Sequence, residues 1–164
     1  MKSHLKRLKA PRSWSIPKKE NKYVGRPKTS KPYKLSISLT VLFRDLLKVA
    51  STRKEVKQLL KNDYIFINGK RQVDPKDTLA IMDCLEIKST DEAYRLFLDK
   101  RGKLCVGEVK KKEKNLVPLR LMDKTLLKGG KIQLNFYNGY NLIVEKDEGY
   151  KSGDVLLFDF QKKA

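Results

Sequence analysis

Histidine and cysteine are almost missing from this 164-residue chain, which carries one His and two Cys. The single His4 lies among lysines and arginines near the N-terminus, so a Ser/His/Asp or Cys/His triad has no base held in place for it. Cys84 and Cys105 are not in C-x-x-C spacing, which excludes a disulfide framework and a zinc-ligand set and fits a reducing compartment. Both thiols are expected to be buried and inert, each inside a strand. No apolar run approaches the roughly 18 residues of a membrane span, and the opening Met1-Lys2-Ser3-His4-Leu5-Lys6-Arg7 has no apolar h-region. A soluble protein that stays where it is made is expected. Negative charge is scarce too: 19 Asp plus Glu face 38 Lys plus Arg, a net charge of +19. A polyanion is the natural partner.

That charge is uneven. Residues 1–34 hold twelve basic side chains against Glu20 alone, and four of the six prolines. Prolines forbid a helix interior, and so polar a segment cannot offset its ordering entropy alone. An extended arm, disordered when free and fixed against a partner, is expected over residues 1–38. Trp14, Tyr23 and Tyr33 interleave with its cations, and such planes suit stacking on exposed bases beside phosphate pairing.

A globular pattern begins near Leu35. Leu39, Leu42, Leu46, Val49 and Ala50 recur at three- and four-residue intervals and predict a helix over 39–50 with these residues facing inward. Thr52-Arg53-Lys54-Glu55 is a capping box that opens a second helix, with Val56, Leu59 and Leu60 inward. Tyr64 to Ile67 reads as a strand, Asn68-Gly69 as a tight turn with positive φ at both positions, Asp74 to Asp77 as another turn, and Cys84 to Ile87 as a strand. Beyond residue 90 the chain reads as short strands (94–98, 104–109, 132–137, 142–144 and 155–160) between turns at Gly102, Gly129-Gly130, Asn138-Gly139 and Gly153. Gly129-Gly130-Lys131 lacks the first glycine and the hydroxyl residue of a phosphate loop, and a hairpin turn is expected there. No carboxylate pair stands out; Asp147-Glu148 beside Lys146 reads as a solvated cluster.

The run from Ser51 to Val73, with its hydroxyl-then-basic helix opening, Leu59-Leu60 ending and apolar-Asn68-Gly69 hairpin, resembles the S4-type (alpha-L) RNA-binding domain, in which two packed helices precede a small sheet. Arg53, Lys54 and Lys57 then share a helix start with its dipole and amides, a setting for phosphate oxygens, and Lys70 and Arg71 extend the surface. The resemblance lengthens through His4-Leu5-Lys6-Arg7-Leu8-Lys9-Ala10-Pro11-Arg12-Ser13-Trp14, Arg26-Pro27, Pro32-Tyr33-Lys34-Leu35, Leu42 to Ala50, Met82-Asp83, Tyr94 to Lys103 and Gly129 to Asn135, which look like the S4e family of small-subunit ribosomal proteins of archaea and eukaryotes. That family usually continues into a C-terminal β domain of the KOW type; the sequence stops at Ala164, and no such domain is expected within it.

The resemblance implies an α+β protein: a basic extended arm (1–38), a small helix-helix-sheet alpha-L domain (39–90) and a small mostly β domain (91–164). It implies a structural constituent of the small ribosomal subunit in the cytoplasm, with small-subunit rRNA and neighbouring ribosomal proteins as partners. No catalytic residue, metal, cofactor, membrane or small-molecule substrate is expected. The expected RNA-binding residues are Lys6, Arg7, Lys9, Arg12, Trp14, Arg26, Lys28, Tyr33 and Lys34 on the arm, and Arg53, Lys54, Lys57, Lys70 and Arg71 on the domain. Two other classes stay open. S4-type modules also accompany pseudouridine synthases and aminoacyl-tRNA synthetases, but such an enzyme needs a catalytic domain of about 150 residues or more. A free RNA chaperone or ribosome rescue factor differs from a ribosomal protein in being substoichiometric on the subunit.

Overall fold

A computed structural model describes residues 4–29, 31–110, 113–145 and 149–160. The run Lys110-Lys111-Lys112 is covered only at Lys110, and the Lys146-Asp147-Glu148 cluster lies outside the described residues. The chain divides into two compact units, Met1–Asn115 and Leu116–Ala164.

The first unit begins with β1 (Leu5–Lys6), paired antiparallel to β2 (Tyr23–Val24). β3 (Ser36–Ser38) leads into a short α1 (Leu39–Val41), which continues as one turn of π-helix over Leu42–Leu46. α2 (Arg53–Asn62) is followed by β4 (Ile65–Ile67), β5 (Lys70–Arg71), β6 (Thr78–Ala80), β7 (Cys84–Ile87), β8 (Glu92–Leu98) and β9 (Leu104–Glu108). One antiparallel sheet has the order β5-β4-β7-β8-β9, and β3 pairs with β6. β7 and β8 are neighbours in this sheet, which therefore runs on across residue 90.

The second helix forms as its sequence dictates. Thr52 accepts from the Glu55 amide, and the Glu55 carboxylate takes the Thr52 amide in return, completing the capping box. Val56 and Leu60 are buried and Leu59 half-buried, and full burial of each such side chain is worth about 1.5–3 kcal/mol. The Asn68-Gly69 turn has φ of 48° and 74°, as expected. Asn68 also turns its side chain inward: Nδ2 donates to Asp83 Oδ1 (3.0 Å), and Oδ1 accepts from the Cys84 amide (2.9 Å). Asp83 Oδ2 in turn accepts from the Ala80 amide (3.0 Å) and from Lys31 Nζ (3.2 Å). The hairpin is thus tied to the interior by a buried carboxylate whose lone pairs are satisfied.

Three expectations for this unit are corrected. The first helix does not reach Ala50: the π-turn closes with the Leu47 amide on the Leu42 carbonyl, Lys48 takes φ of 55°, and the Val49 amide returns to Phe43 O (2.9 Å). Val49 is thereby turned outward and is 60% exposed, although the Leu39–Ala50 periodicity placed it inside. The arm is not loose. Ala10, Trp14, Ile16 and Val24 belong to the same buried core as Leu39, Leu42, Val56 and Leu85, and the Leu104 amide donates to Ser13 O (2.7 Å). Its apolar residues lack a period but carry enough area to dock on the helices and sheet. Cys105 is exposed, whereas Cys84 is buried as expected and its thiol is pushed up by that burial.

The second unit is a four-stranded antiparallel sheet of order β12-β11-β10-β13, built from β10 (Leu116–Leu126), β11 (Ile132–Phe136), β12 (Asn141–Val144) and β13 (Val155–Asp159). β10 pairs with β13 over Leu116–Arg120 and with β11 from Leu121 onward, with a register shift between Leu121 and Asp123. Val117, Leu119, Leu121, Leu134 and Phe136 form its core. Gly129 and Gly130, at φ of 87° and 76°, make the β10–β11 turn, so the expected hairpin is what the Gly129-Gly130-Lys131 sequence encodes.

Candidate nucleic-acid interface

The basic face of α2 grows out of its own periodicity. With Val56 and Leu60 inward, Arg53, Lys54 and Lys57 fall on the solvent side, and all three are exposed. They line an open depression of about 470 Å³ whose other wall is Val73, Asp74 and Pro75. That wall is fixed from behind: the Thr40 amide and hydroxyl both donate to Pro75 O (3.0 and 2.8 Å), and the Lys28 amide donates to Lys76 O (2.8 Å). Arm residue Lys28 is therefore held beside the turn that forms the depression. Arg53, Lys54 and Lys57 enter no ion pair among the described residues, so their charge is available to an outside anion.

The helix start itself offers less than its sequence suggests. Glu55 Oε2 already takes the Ser51 amide at 2.7 Å and the Thr52 amide at 3.4 Å. The Ser51 amide first, then the Thr52 hydroxyl on Oε1 (2.8 Å) and the Thr52 amide, hold the Glu55 carboxyl below the usual glutamate range, so it stays ionised at the dipole's positive end. Anion attraction at this place is left to the side chains of Arg53, Lys54 and Lys57 and to the remaining amides of the first turn.

Lys70 and Arg71 on β5 are also exposed. Arg71 is partly engaged: its guanidinium stacks over Tyr64 at 4.3 Å from the ring centroid, and Nη2 approaches Lys61 O at 3.5 Å. A stacked guanidinium keeps an open face and edge for phosphate or base. Lys88 over Phe66 at 4.5 Å was not singled out from the sequence, because nothing in the linear order places residue 88 beside β4.

The arm residues divide sharply. Lys6, Lys9, Arg12, Lys28 and Lys34 are exposed. Arg26 and Tyr33 are half-buried and joined, with Arg26 Nε donating to the Tyr33 hydroxyl at 3.0 Å. Tyr23 stays 48% exposed, edge-on to His4 and near Lys22. Trp14 and Arg7 do not belong to an RNA-facing set. Trp14 is fully buried, and its Nε1 donates to Tyr33 O (2.9 Å) and Ser36 O (3.0 Å), so its ring offers no stacking plane. Arg7 is 1% exposed and its Nη2 donates to Asp45 Oδ1 at 2.9 Å, with Glu20 3.7 Å away. The indole donor is spent on internal carbonyls, and the guanidinium is enclosed with Nη2 on Asp45 and with Nε and Nη1 making no hydrogen bond, so burial removes both side chains from phosphate or base contact.

No group of three or more His, Cys, Asp or Glu able to hold a metal occurs among the described residues, and no helix there is long and apolar enough to cross a membrane.

Comparison with known proteins decides the family. A model of the ribosomal family S4e matches residues 90–164, and a model of the RS4NT domain matches residues 1–29. The small ribosomal subunit protein eS4 of Pyrobaculum islandicum is 37% identical over 164 residues, covering 98% of this chain and 69% of that protein. The chain belongs to the ribosomal S4e family. The eS4 protein of Methanosphaera stadtmanae is 36% identical over 163 residues, covering 98% of this chain and 66% of that protein. The crystal structure of the 30S ribosomal protein S4e from Thermoplasma acidophilum superposes with a TM-score of 0.64 at 28% identity, over 78% of this chain and 65% of that one. This S4e-family chain therefore spans about two thirds of the length of the curated relatives it matches. The α+β architecture with a mostly β second unit agrees with that neighbour.

Proposed function

We propose that this chain is a structural constituent of the small ribosomal subunit in the cytoplasm, bound to small-subunit rRNA and flanked by neighbouring ribosomal proteins, and that it catalyses no reaction. The observation that carries the proposal is the depression lined by Arg53, Lys54 and Lys57, whose cations have no ion-pair partner among the described residues of an S4e-family chain of net charge +19. Lys28 beside the depression and Lys70 and Arg71 on β5 extend the surface, and Lys6, Lys9, Arg12 and Lys34 supply arm contacts. Affinity comes chiefly from phosphate neutralisation and counterion release, and specificity from RNA shape.

Two measurements test it. Sucrose-gradient sedimentation of native extract should find the chain at near-unit stoichiometry in small subunits and in translating ribosomes, surviving moderate salt. A free pool, or substoichiometric binding stripped by salt, refutes a constitutive role. Charge reversal at Arg53 and Lys54 should weaken rRNA binding and make the log–log salt dependence shallower by about two. Both side chains are exposed, so the urea midpoint should not move. Unchanged affinity and slope would remove this surface from the proposal.

A further inference from the structure

The π-turn and the left-handed Lys48 that expel Val49 from the core also open a second cleft in the first unit. Leu47, Val49, Leu59, Ile87 and Tyr94 line a partly enclosed space of about 100 Å³, which is room for one aliphatic side chain. It continues into an open groove of about 290 Å³ that shares Val49, Leu59 and Asp63 and adds Glu55 and Asn62.

The charge of this cleft is the reverse of its surroundings. The chain has two basic residues for each acidic one, yet among the described residues no Lys or Arg lines either part of the cleft. Glu55, Asp63 and Glu92 do. Asp63 is the C-cap of α2, where a cation would complement the helix dipole; a carboxylate there adds to the negative end instead. Glu92 is exposed and accepts from the Tyr94 hydroxyl at 2.9 Å. Such a rim repels phosphate, which disfavours RNA as its occupant.

We propose that this cleft docks a lysine- and arginine-rich polypeptide segment of a neighbouring protein, which inserts one aliphatic side chain beside Val49 and sets its cations against Asp63, Glu92 and Glu55. Charge complementarity selects this occupant: the apolar pocket supplies the anchor, and the carboxylates supply register. The inference rests on the ribosomal reading above for the neighbour's presence, and it gives the chain two faces, one cationic toward RNA and one anionic toward protein.

The test places a photo-cross-linking amino acid at Val49 in the full chain assembled in small subunits, and at Val73, in the wall of the basic depression, as a comparison. The expected result is a cross-link from Val73 to rRNA. From Val49 it is a cross-link to a polypeptide whose attached peptide, identified by mass spectrometry, is Lys/Arg-rich with an aliphatic residue at or next to the attachment point. Combining Asp63→Asn with Glu92→Gln should cut the Val49 cross-link at least tenfold and leave the Val73 cross-link unchanged, which also shows that the variant is folded and assembled. A Val49 cross-link to rRNA, to a second copy of this chain, or to nothing, with the Val73 cross-link intact, overturns the docking proposal alone. Failure of the chain to enter the subunit overturns the ribosomal reading and the docking proposal with it.

Discussion

Removing the Trp14 indole tests whether the arm is part of the folded protein before any RNA arrives. Trp14 is fully enclosed, and its one polar atom serves two carbonyls, those of Tyr33 and Ser36, across roughly twenty residues of chain. Trp14→Ala should cost about 3–5 kcal/mol, since it empties a large buried site that neighbours fill only in part. Against a typical domain stability of about 5–15 kcal/mol, that change releases the arm or unfolds the unit. Trp14→Phe is the sharper instrument. It keeps most of the ring but leaves two carbonyls without their donor, for a cost of about 1–3 kcal/mol. Urea unfolding of RNA-free protein followed by far-ultraviolet circular dichroism measures the shift in midpoint. Trp14 is the sole tryptophan, so the unmutated protein reports directly as well: its emission should be blue-shifted and shielded from an aqueous quencher until the urea transition. Limited proteolysis near the exposed Lys19 and Lys22 should accelerate in the variant. Solvent-exposed emission from the native RNA-free protein, together with a Trp14→Phe midpoint equivalent to less than about 0.5 kcal/mol of change, would refute a docked arm.

Asp45→Ala strips Arg7 of its 2.9 Å partner and leaves a buried guanidinium whose remaining ion-pair partner among the described residues is Glu20 at 3.7 Å. The expected loss is about 3–5 kcal/mol in urea unfolding, and replacing both residues with Met and Leu should recover most of it. Glu55 has a folded-state pKa lowered by its hydrogen bonds, so its contribution to stability is present above the unfolded value near 4.5 and is lost as pH falls through the lower folded value. Glu55→Gln should therefore flatten the acid limb of a urea-midpoint profile below about pH 4.5 and lower the plateau above it; an unchanged acid limb would rule out the capping box as its source. Alkylation of native protein at neutral pH should label Cys105 alone, with Cys84 reacting only after denaturation, because Cys84 is buried and its thiolate is disfavoured. Mass spectrometry showing two labels on the native chain would contradict this.

How legible the fold was depended on whether an element is specified locally. The Thr52–Glu55 box and the Asn68-Gly69 turn are short-range chemistry, and both occur where the sequence puts them. β10 is hidden in the sequence, although Val117, Leu119 and Leu121 alternate inward, because Pro118 interrupts the pattern and the strand changes partner from β13 to β11 at Leu121. β3 and β6 are three residues each and exist by pairing with each other across some forty residues of chain. The spacing of Leu46, Val49 and Ala50 fits an α-helix, but a π-turn adds a residue to the hydrogen-bonded ring and puts the next residues out of phase.

For the candidate interface, the same distinction separates Arg53, Lys54 and Lys57 from Arg7. A cation on a helix with a defined apolar side must face solvent, so those three were readable. A cation in an aperiodic arm has no such reference: Arg7 and Asp45 are 38 positions apart, and only the folded arm brings them together. The arm's charge is consequently divided between two uses. Arg7 ties to Asp45, Lys31 to Asp83, Lys18 to the Ala10 carbonyl and Arg26 to the Tyr33 hydroxyl. Lys6, Lys9, Arg12, Lys28 and Lys34 stay exposed, and their side chains make no such tie among the described residues. Counterion release counts only cations that reach phosphate, so the arm's share of the salt dependence must fall well short of its twelve basic residues. The tied cations act earlier, by building the surface on which the free ones are displayed.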